Sequence, residues 1–231
     1  MTAERALLTL LQFADGLFPT GGFAHSFGLE TYVQDGRIRD RRGLEAFVAA
    51  HLEGSAGPAD AAAVAIAVRL STRADAADWI ALDRRLDAMK SVPELRAASR
   101  QMGRQTLRIA AGLSDDPFLA RLAGAVDGER AYGHHASVFG AVVGRGDVAP
   151  GAAAAAYLYS TAELLVGAGL RLIALGQLDG QRALAAMRER IERLAAAAAT
   201  AMTADDLWSF NPAIEIAGIR HAALDMRLFR S

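Results

Sequence analysis

The side chains best suited to chemistry lie together near the start of the chain, in residues 24–28, AHSFG. This segment differs from the GxSxG nucleophile elbow of serine hydrolases by having alanine in place of the first glycine. The elbow also needs a strand before it, and the serine needs a base that a third group orients. A small helical hydrolase that uses Ser26 and His25 is therefore one function to test, although nothing in the sequence places the orienting group.

The chain has five histidines that could bind a metal or carry a proton. His134 and His135 are adjacent, so on a helix their side chains diverge by about 100° and do not readily share one ion. His221 lies on an apolar stripe, where a hydrogen-bonded core histidine is expected, and His25 lies beside a glycine-rich turn. We predict no metal site, and His25 and His221 are the candidates if one exists.

Several classes of function are disfavoured by what the sequence lacks. There is no cysteine, which excludes disulfides and thiolate metal sites and fits a reducing cytoplasm. No GxxxxGK[ST] segment occurs, so a P-loop nucleotide site is not expected. The net charge is −1, which gives no bulk positive field for nucleic acid or an anionic membrane.

No segment is predicted to enter a membrane. The first residues lack the pattern of a signal peptide. The most apolar stretch, residues 152–176, contains Glu163 and Arg171, and a charge near the middle of a bilayer is costly. We interpret this stretch as a buried core helix.

Composition and spacing predict an all-α fold. Alanine is abundant, and it favours helix because it loses no side-chain entropy on ordering. Apolar residues recur every three or four positions, as at Trp79, Leu82, Leu86 and Met89, which places them on one helical face. Two further stripes are Leu184, Met187, Ile191 and Leu194, and Ile214, Ala217, His221, Leu224 and Leu228. We predict a single-domain bundle of about ten helices over residues 1–231.

Prolines and glycines place the predicted boundaries. First-turn prolines are expected at Pro58, Pro93, Pro117 and Pro212, and helix ends at Gly36, Gly54, Gly112 and Gly128. The predicted helices are 3–14, 25–35, 41–53, 58–72, 75–90, 93–111, 116–126, 133–144, 150–175, 180–201 and 212–227.

One predicted helix carries a basic ridge. Arg96, Arg100, Arg104 and Arg108 recur every four residues, so they lie on one slowly drifting face. A solvated face explains such a ridge. The alternative is a docking ridge for an acidic partner, since arginine pairs with carboxylates in a bidentate way.

Two segments carry more chemistry than a simple connection or a frayed end requires. Residues 15–30, DGLFPTGGFAHSFGLE, combine Pro19 with Gly21 and Gly22, which allow backbone angles closed to other residues, and Phe23 is among the aromatic residues beside the turn. Residues 220–231 end in an arginine-flanked Leu-Phe pair, whereas chain ends are usually polar. These features predict that the tail either docks on a partner or folds back onto the body.

The sequence resembles the urease accessory protein F family, UreF, through several motifs that occur in the same order along the chain. A pattern like LPxGGFxxSxGLE is matched by Pro19, Gly21, Gly22, Phe23, Ser26, Gly28, Leu29 and Glu30. Residues 102–105, MGRQ, residues 169–177, GLRLIALGQ, and the tail from Arg220 to Ser231 are similar to further family segments. Phe18, Thr20, Ala174 and Ala222 depart from the commoner residues.

The resemblance implies an all-α protein of the cytoplasm that forms homodimers and is not an enzyme. It implies a complex with accessory protein D, called H in some species, and with the GTPase accessory protein G. That complex would insert nickel into apo-urease without a cofactor or tight nickel site on this chain. A direct nickel carrier using His25 or His221 is the alternative.

The family motifs also suggest which residues meet those partners. Glu30 and Gln177 would face the GTPase, and Arg104 is a further partner-binding candidate. The residues expected to meet the D (H) protein, or to order the surface that it meets, are Arg220, Arg227, Leu228, Phe229 and Arg230. The structural turn would be formed by Pro19, Gly21, Gly22, Phe23, Ser26 and Gly28.

Overall fold

The computed structural model describes residues 2–231, which contain eleven α-helices and no β-strand. The helices are α1 Ala3–Ala14, α2 Leu29–Gln34, α3 Arg41–His51, α4 Ala62–Thr72, α5 Ala76–Met89, α6 Pro93–Leu113, α7 Pro117–Asp127, α8 His135–Arg145, α9 Pro150–Leu172, α10 Gln177–Ala198 and α11 Pro212–His221. A π-helix covers Leu52–Ala61, and two 3₁₀ turns cover Gly22–Ala24 and Ala204–Asp206. The predicted all-α class is confirmed.

The π-helix joins α3 to α4 without a break, and it corrects two predictions. Gly54 does not end a helix, and Pro58 lies inside the π-helix and not in a first turn. The wider π turn has room for a residue that lacks an N–H donor. Gly54 is instead a contact point, because its carbonyl accepts a hydrogen bond from the Phe210 amide at 2.8 Å.

The centre of the core is the contact between α4 and α8, and small residues make it close. Nearly every residue of α4 is buried. At Gly140 an added Cβ would overlap the Val64 carbonyl oxygen and lie 2.8 Å from the Ala67 Cβ. At Gly144 it would lie 2.9 Å from the Val68 Cα. These two glycines, four residues apart on α8, therefore let the backbones of α4 and α8 approach closely.

Helix α9 corresponds to the apolar stretch that we interpreted as a core helix. By length and composition it is the one helix in residues 2–231 that could cross a bilayer, and half of its most apolar window is buried within the fold. It packs against α4 and α10. Its buried residues include Tyr157, Leu158 and Leu165.

The other boundaries agree within a few residues, with exceptions that have identifiable causes. Pro93, Pro117 and Pro212 stand in first turns as predicted. Helix α6 continues past Gly112. The predicted helices 25–35 and 212–227 are both too long, since α2 begins only at Leu29 and α11 ends at His221. Before α2, the Ser26 and Phe27 amides instead donate to the Ser231 carbonyl, and after α11 the Met226 carbonyl accepts from the Gln34 side chain.

We predict opposite effects for one substitution at two helical glycines. Gly140→Ala should lower the free energy of unfolding by about 1–3 kcal/mol, because the methyl group overpacks α8 against α4. Gly124→Ala should raise it by about 0.5–1 kcal/mol, because no atom lies within 4 Å of the added Cβ and alanine favours helix. Urea denaturation measures both, and a Gly140→Ala protein as stable as the parent would contradict the described packing.

Candidate partner-binding site

The turn segment, residues 15–30, brings the chain from α1 to α2 through three left-handed positions. Gly21 has a φ of 85°, as a structural turn predicts, whereas Gly22 lies in a 3₁₀ turn and is required for space. A Cβ there would lie 2.7 Å from the Leu164 Cδ1. Phe27 and Gly28 have φ values of 52° and 86°, which reverse the chain before α2.

The tail, residues 222–231, folds back onto this turn segment. The Ser231 carbonyl oxygen accepts hydrogen bonds from the Ser26 amide, the Phe27 amide at 3.1 Å and the Ser26 hydroxyl at 3.0 Å. The Arg230 amide donates to the Ala24 carbonyl at 2.8 Å. Of the two outcomes that the sequence left open for the tail, the structure therefore shows folding back.

The buried carboxylate of Glu30 accepts hydrogen bonds from backbone amides of the tail. Glu30 is only 2% exposed. One of its oxygens accepts the Leu228 amide at 2.7 Å, and the other accepts the Phe229 amide at 3.1 Å. A buried carboxylate is tolerated only when hydrogen bonds replace its water, so Glu30 requires the tail as much as the tail requires Glu30.

His221 completes this network between two carboxylates. Its Nε2 lies 3.0 Å from Glu30 and its Nδ1 lies 2.8 Å from Glu94, and the ring is fully buried. Arg227 donates to the other oxygen of Glu94 at 3.0 Å. The two carboxylates contact different ring nitrogens, so the arrangement fixes the end of α11. We call Glu30, Glu94, His221 and the tail amides the tail latch.

A cation between two aromatic rings covers the latch. The Arg171 guanidinium carbon lies 3.7 Å from the Phe23 ring centre and 4.3 Å from that of Phe229. Arg171 also donates to the Phe23 carbonyl at 2.7 Å. Burial lowers the pKa of Arg171. Sequence reasoning missed this role, because Arg171 entered it only as a charge that interrupts an apolar stretch.

A second ion pair ties α11 to the end of α2. Arg220 donates to both oxygens of Asp35, at 2.7 and 2.9 Å. These hydrogen bonds lower the pKa of Asp35. Gln34 donates to the Met226 carbonyl at 2.8 Å. Gly28 allows this close approach, since a Cβ there would lie 3.3 Å from the Gly218 amide nitrogen.

The structure brings most of the predicted partner-binding residues together, with different exposures. Glu30 and Phe229 are buried, so in this conformation they hold the tail and do not face a partner. Arg220, Arg227, Leu228 and Arg230 are exposed on the tail and the end of α11. Gln177 is exposed in the first turn of α10, and Arg104 is exposed on α6. Both lie outside the latch network.

The geometry gives no support to a hydrolase that uses Ser26 and His25. Ser26 donates its hydroxyl to the Ser231 carbonyl, and His25 Nδ1 contacts the Ser231 hydroxyl at 2.8 Å. Both side chains are buried, and no hydrogen bond joins them within the described part of the chain. Burial, and next the nearby Arg230 charge, lower the pKa of His25.

No group of three His, Asp or Glu side chains in residues 2–231 is arranged to hold a metal ion. His25 has an unpartnered Nε2, but its other nitrogen is bound to Ser231. His221 contacts carboxylates through both of its nitrogens. A nickel carrier based on either histidine would therefore need the hydrogen bonds of that histidine to break.

A cavity of about 280 Å³ lies beneath the turn segment. Its walls include Phe18 and Phe27 from the turn and Phe139 and Tyr157 from α8 and α9. Polar lining is contributed by His51, His135, Asp60 and Lys90, of which the last two form a 2.8 Å ion pair. His51 Nδ1 and His135 Nε2 have no hydrogen-bond partner in the described residues. Burial lowers the pKa of each histidine to about 4.

An all-helical body that holds its tail against its own turn segment defines a protein with an ordered, partly apolar surface at the tail. The UreF family model matches residues 38–188. Urease accessory protein UreF of Bacillus sp. (strain TB-90) is 32% identical over 225 residues, covering 97% of this chain and 99% of that protein.

Two further relatives have similar coverage. Urease accessory protein UreF of Dechloromonas aromatica (strain RCB) is 36% identical, with 97% of each chain covered. The protein of that name from Arthrobacter sp. (strain FB24) is 34% identical, covering 97% of this chain and 96% of its own. The chain therefore belongs to the UreF family of urease accessory proteins.

We predict that Glu30→Ala loosens the tail. The substitution leaves the Leu228 and Phe229 amides without acceptors, so the free energy of unfolding should fall by about 1–3 kcal/mol. Trypsin should cleave after Arg227 faster than in the parent protein, which mass spectrometry can follow.

Glu189→Ala is the matched control, because Glu189 is an exposed glutamate on α10. It should leave both stability and the cleavage rate unchanged. Equal cleavage rates in the Glu30→Ala and parent proteins would contradict the role of Glu30 in the latch.

We predict that stability falls as the pH is lowered from 6.5 to about 4. The pKa of His51 is about 4 in the folded chain, against an ordinary value of 6.5. Over this range the unfolded state binds more protons, so acid favours unfolding. His51→Gln should reduce the slope of unfolding free energy against pH by up to about 1.4 kcal/mol per pH unit.

The control is Leu52→Ala, which removes a fully buried neighbour that does not titrate. It should lower stability at every pH and keep the parental slope. A His51→Gln protein with the parental slope would show that His51 does not titrate as described.

Proposed function

We propose that this protein is a bridging assembly factor in urease maturation. In this role it binds accessory protein D (H) on one surface and the GTPase accessory protein G on another, as a homodimer in the cytoplasm. Nickel is the cargo of the assembled complex, and this chain needs no cofactor. Membership of the UreF family supports a role as a urease accessory protein. The exposed apolar residues of the tail support the assignment of this surface to partner binding.

The observation that carries the proposal is the exposed apolar surface of a rigidly held tail. Met226 is 81% exposed and Leu228 is 63% exposed, although the neighbouring Phe229 is buried. Ile216 and Ile219 of α11 are 57% and 59% exposed. Apolar residues that are grouped and held on an ordered backbone are typical of protein-binding surfaces, since no ordering entropy is lost on binding.

We assign the partner-binding roles of individual residues from the sequence and from the tail latch. A chain without a P-loop leaves nucleotide chemistry to a partner, which in this proposal is the GTPase. We assign Arg220, Arg227, Leu228 and Arg230 to contact with the D (H) protein. Gln177 remains our candidate for the GTPase surface. Glu30 acts in this scheme by positioning the tail, and it could meet a partner only after the tail had left.

We predict that Leu228→Ser weakens the complex with the D (H) protein. The side chain is exposed, and its amide still binds Glu30, so the latch and the fold should persist. Loss of one central apolar contact typically costs about 1–3 kcal/mol, or about 5- to 150-fold in Kd. Titration calorimetry with the purified D (H) protein measures the change.

Leu113→Ser is the control, because Leu113 is a similarly exposed leucine, 59%, at the end of α6. It should bind with the parental Kd. The proposed assignment fails if the Leu228→Ser and Leu113→Ser proteins bind the D (H) protein equally well, and the bridging role fails if the parent protein binds neither partner.

A further inference from the structure

The exposed face of α6 and the turn segment together form an open cleft of about 710 Å³. It shares no residue with the tail latch. We call it the arginine cleft. Its lining consists of Pro19, Thr20, Gly21, Ala97, Arg100, Gln101, Arg104, Gln105 and Arg108.

The cleft carries positive charge without compensation along most of its length. No carboxylate is among its lining residues. Arg100 is paired with Asp87, at 2.7 Å from its Nε, so its charge is largely neutralised. Arg104 and Arg108 form no ion pair within residues 2–231. Their charges are therefore available to a ligand.

Arg104 is held in place before any ligand arrives. Its Nε donates to the Tyr132 carbonyl at 2.9 Å, and its two terminal nitrogens form no hydrogen bond within residues 2–231. The loop that carries this carbonyl is itself fixed, because buried Asp83 accepts the Tyr132, Gly133 and His134 amides at 2.6, 3.0 and 2.7 Å. A guanidinium fixed in this way loses little entropy on pairing with a carboxylate.

Arg108 is positioned one helical turn further along. Its Nε and one terminal nitrogen donate to the Gln105 side-chain oxygen at 3.2 and 3.1 Å. Four residues of helix advance about 6 Å, so the two cations are spaced by about that distance. Alternate residues of an extended peptide are about 6.5–7 Å apart on one face. Carboxylates at alternate positions therefore match the two guanidinium groups.

The geometry favours a peptide over an isolated phosphate group. The cations are spread along the middle of α6, and none of the described residues that line the cleft belongs to the first turn of an α-helix, in contrast to typical phosphate sites. Gln101 and Gln105 also line the cleft, and their side-chain amides can bind a peptide backbone.

We propose that the arginine cleft binds an extended acidic segment of a partner protein, with Glu or Asp at alternate positions. Arg104 and Arg108 pair with its carboxylates. The identity of the partner rests on the proposed assembly function, whereas the chemistry of the site does not. The cleft would give this chain a binding surface separate from the tail.

Fluorescence anisotropy of a labelled peptide of alternating glycine and glutamate tests this proposal on the full chain, in about 20 mM salt to limit screening. The parent protein should bind it, and should not bind the glycine–glutamine peptide. The double variant Arg104→Gln, Arg108→Gln should bind about 2- to 30-fold more weakly, which is the fold-change expected for the loss of two exposed ion pairs. Arg42→Gln, a change at an exposed arginine of α3, should bind as the parent does.

Circular dichroism and urea denaturation check that each variant is folded, and Arg104→Lys separates charge from guanidinium shape. Lysine should restore part of the affinity, because it keeps the charge but not the fork. Three results would overturn the proposal: equal binding by the double variant, equal binding of the glutamine peptide, or displacement of the acidic peptide by inorganic tripolyphosphate at lower concentration than by unlabelled peptide. Because no accessory protein is present in this assay, its failure leaves the bridging role untouched.

Discussion

The structure depends on one constraint, which is that the carboxylate of Glu30 lies almost completely out of water. Such a group is stable only when hydrogen-bond donors surround it, and its donors are the backbone amides of Leu228 and Phe229 and the ring of His221. Two segments about 200 residues apart are therefore folded as one unit. The end of α11, the direction of the tail and the burial of Phe229 all follow from satisfying this charge.

The latch also gives the protein an ordered surface at the end of the chain. A tail held by its backbone is free to present its side chains, and Met226 and Leu228 are exposed on it. The Arg171 guanidinium between Phe23 and Phe229 connects the tail to α9 and to the roof of the inner cavity. Displacement of the tail would therefore remove one of the two aromatic contacts of Arg171.

The sequence predicted the features that depend on local pattern. Stripes such as Trp79, Leu82 and Leu86 identified helices and their buried faces, and first-turn prolines located several helix starts. It failed where the structure of a segment depends on contacts with residues that are far away in the sequence. No local sequence pattern around Gly54 or Pro58 predicts a π-helix that packs on residues 209–211. The burial of Glu30 and the aromatic contacts of Arg171 arise only when the tail returns, and no periodicity encodes that return. The family motifs marked the two segments, but not that they bind each other.

The most direct test of the central claim is amide hydrogen exchange of Leu228 and Phe229 in the free, unmodified protein. If the latch exists without a partner, these two amides should exchange at least about 100-fold more slowly than in an unstructured chain, while the Met226 amide, which donates no hydrogen bond within residues 2–231, exchanges faster than either. Exchange of Leu228 and Phe229 at unstructured rates would contradict the account, because the tail would then be free until something else captured it.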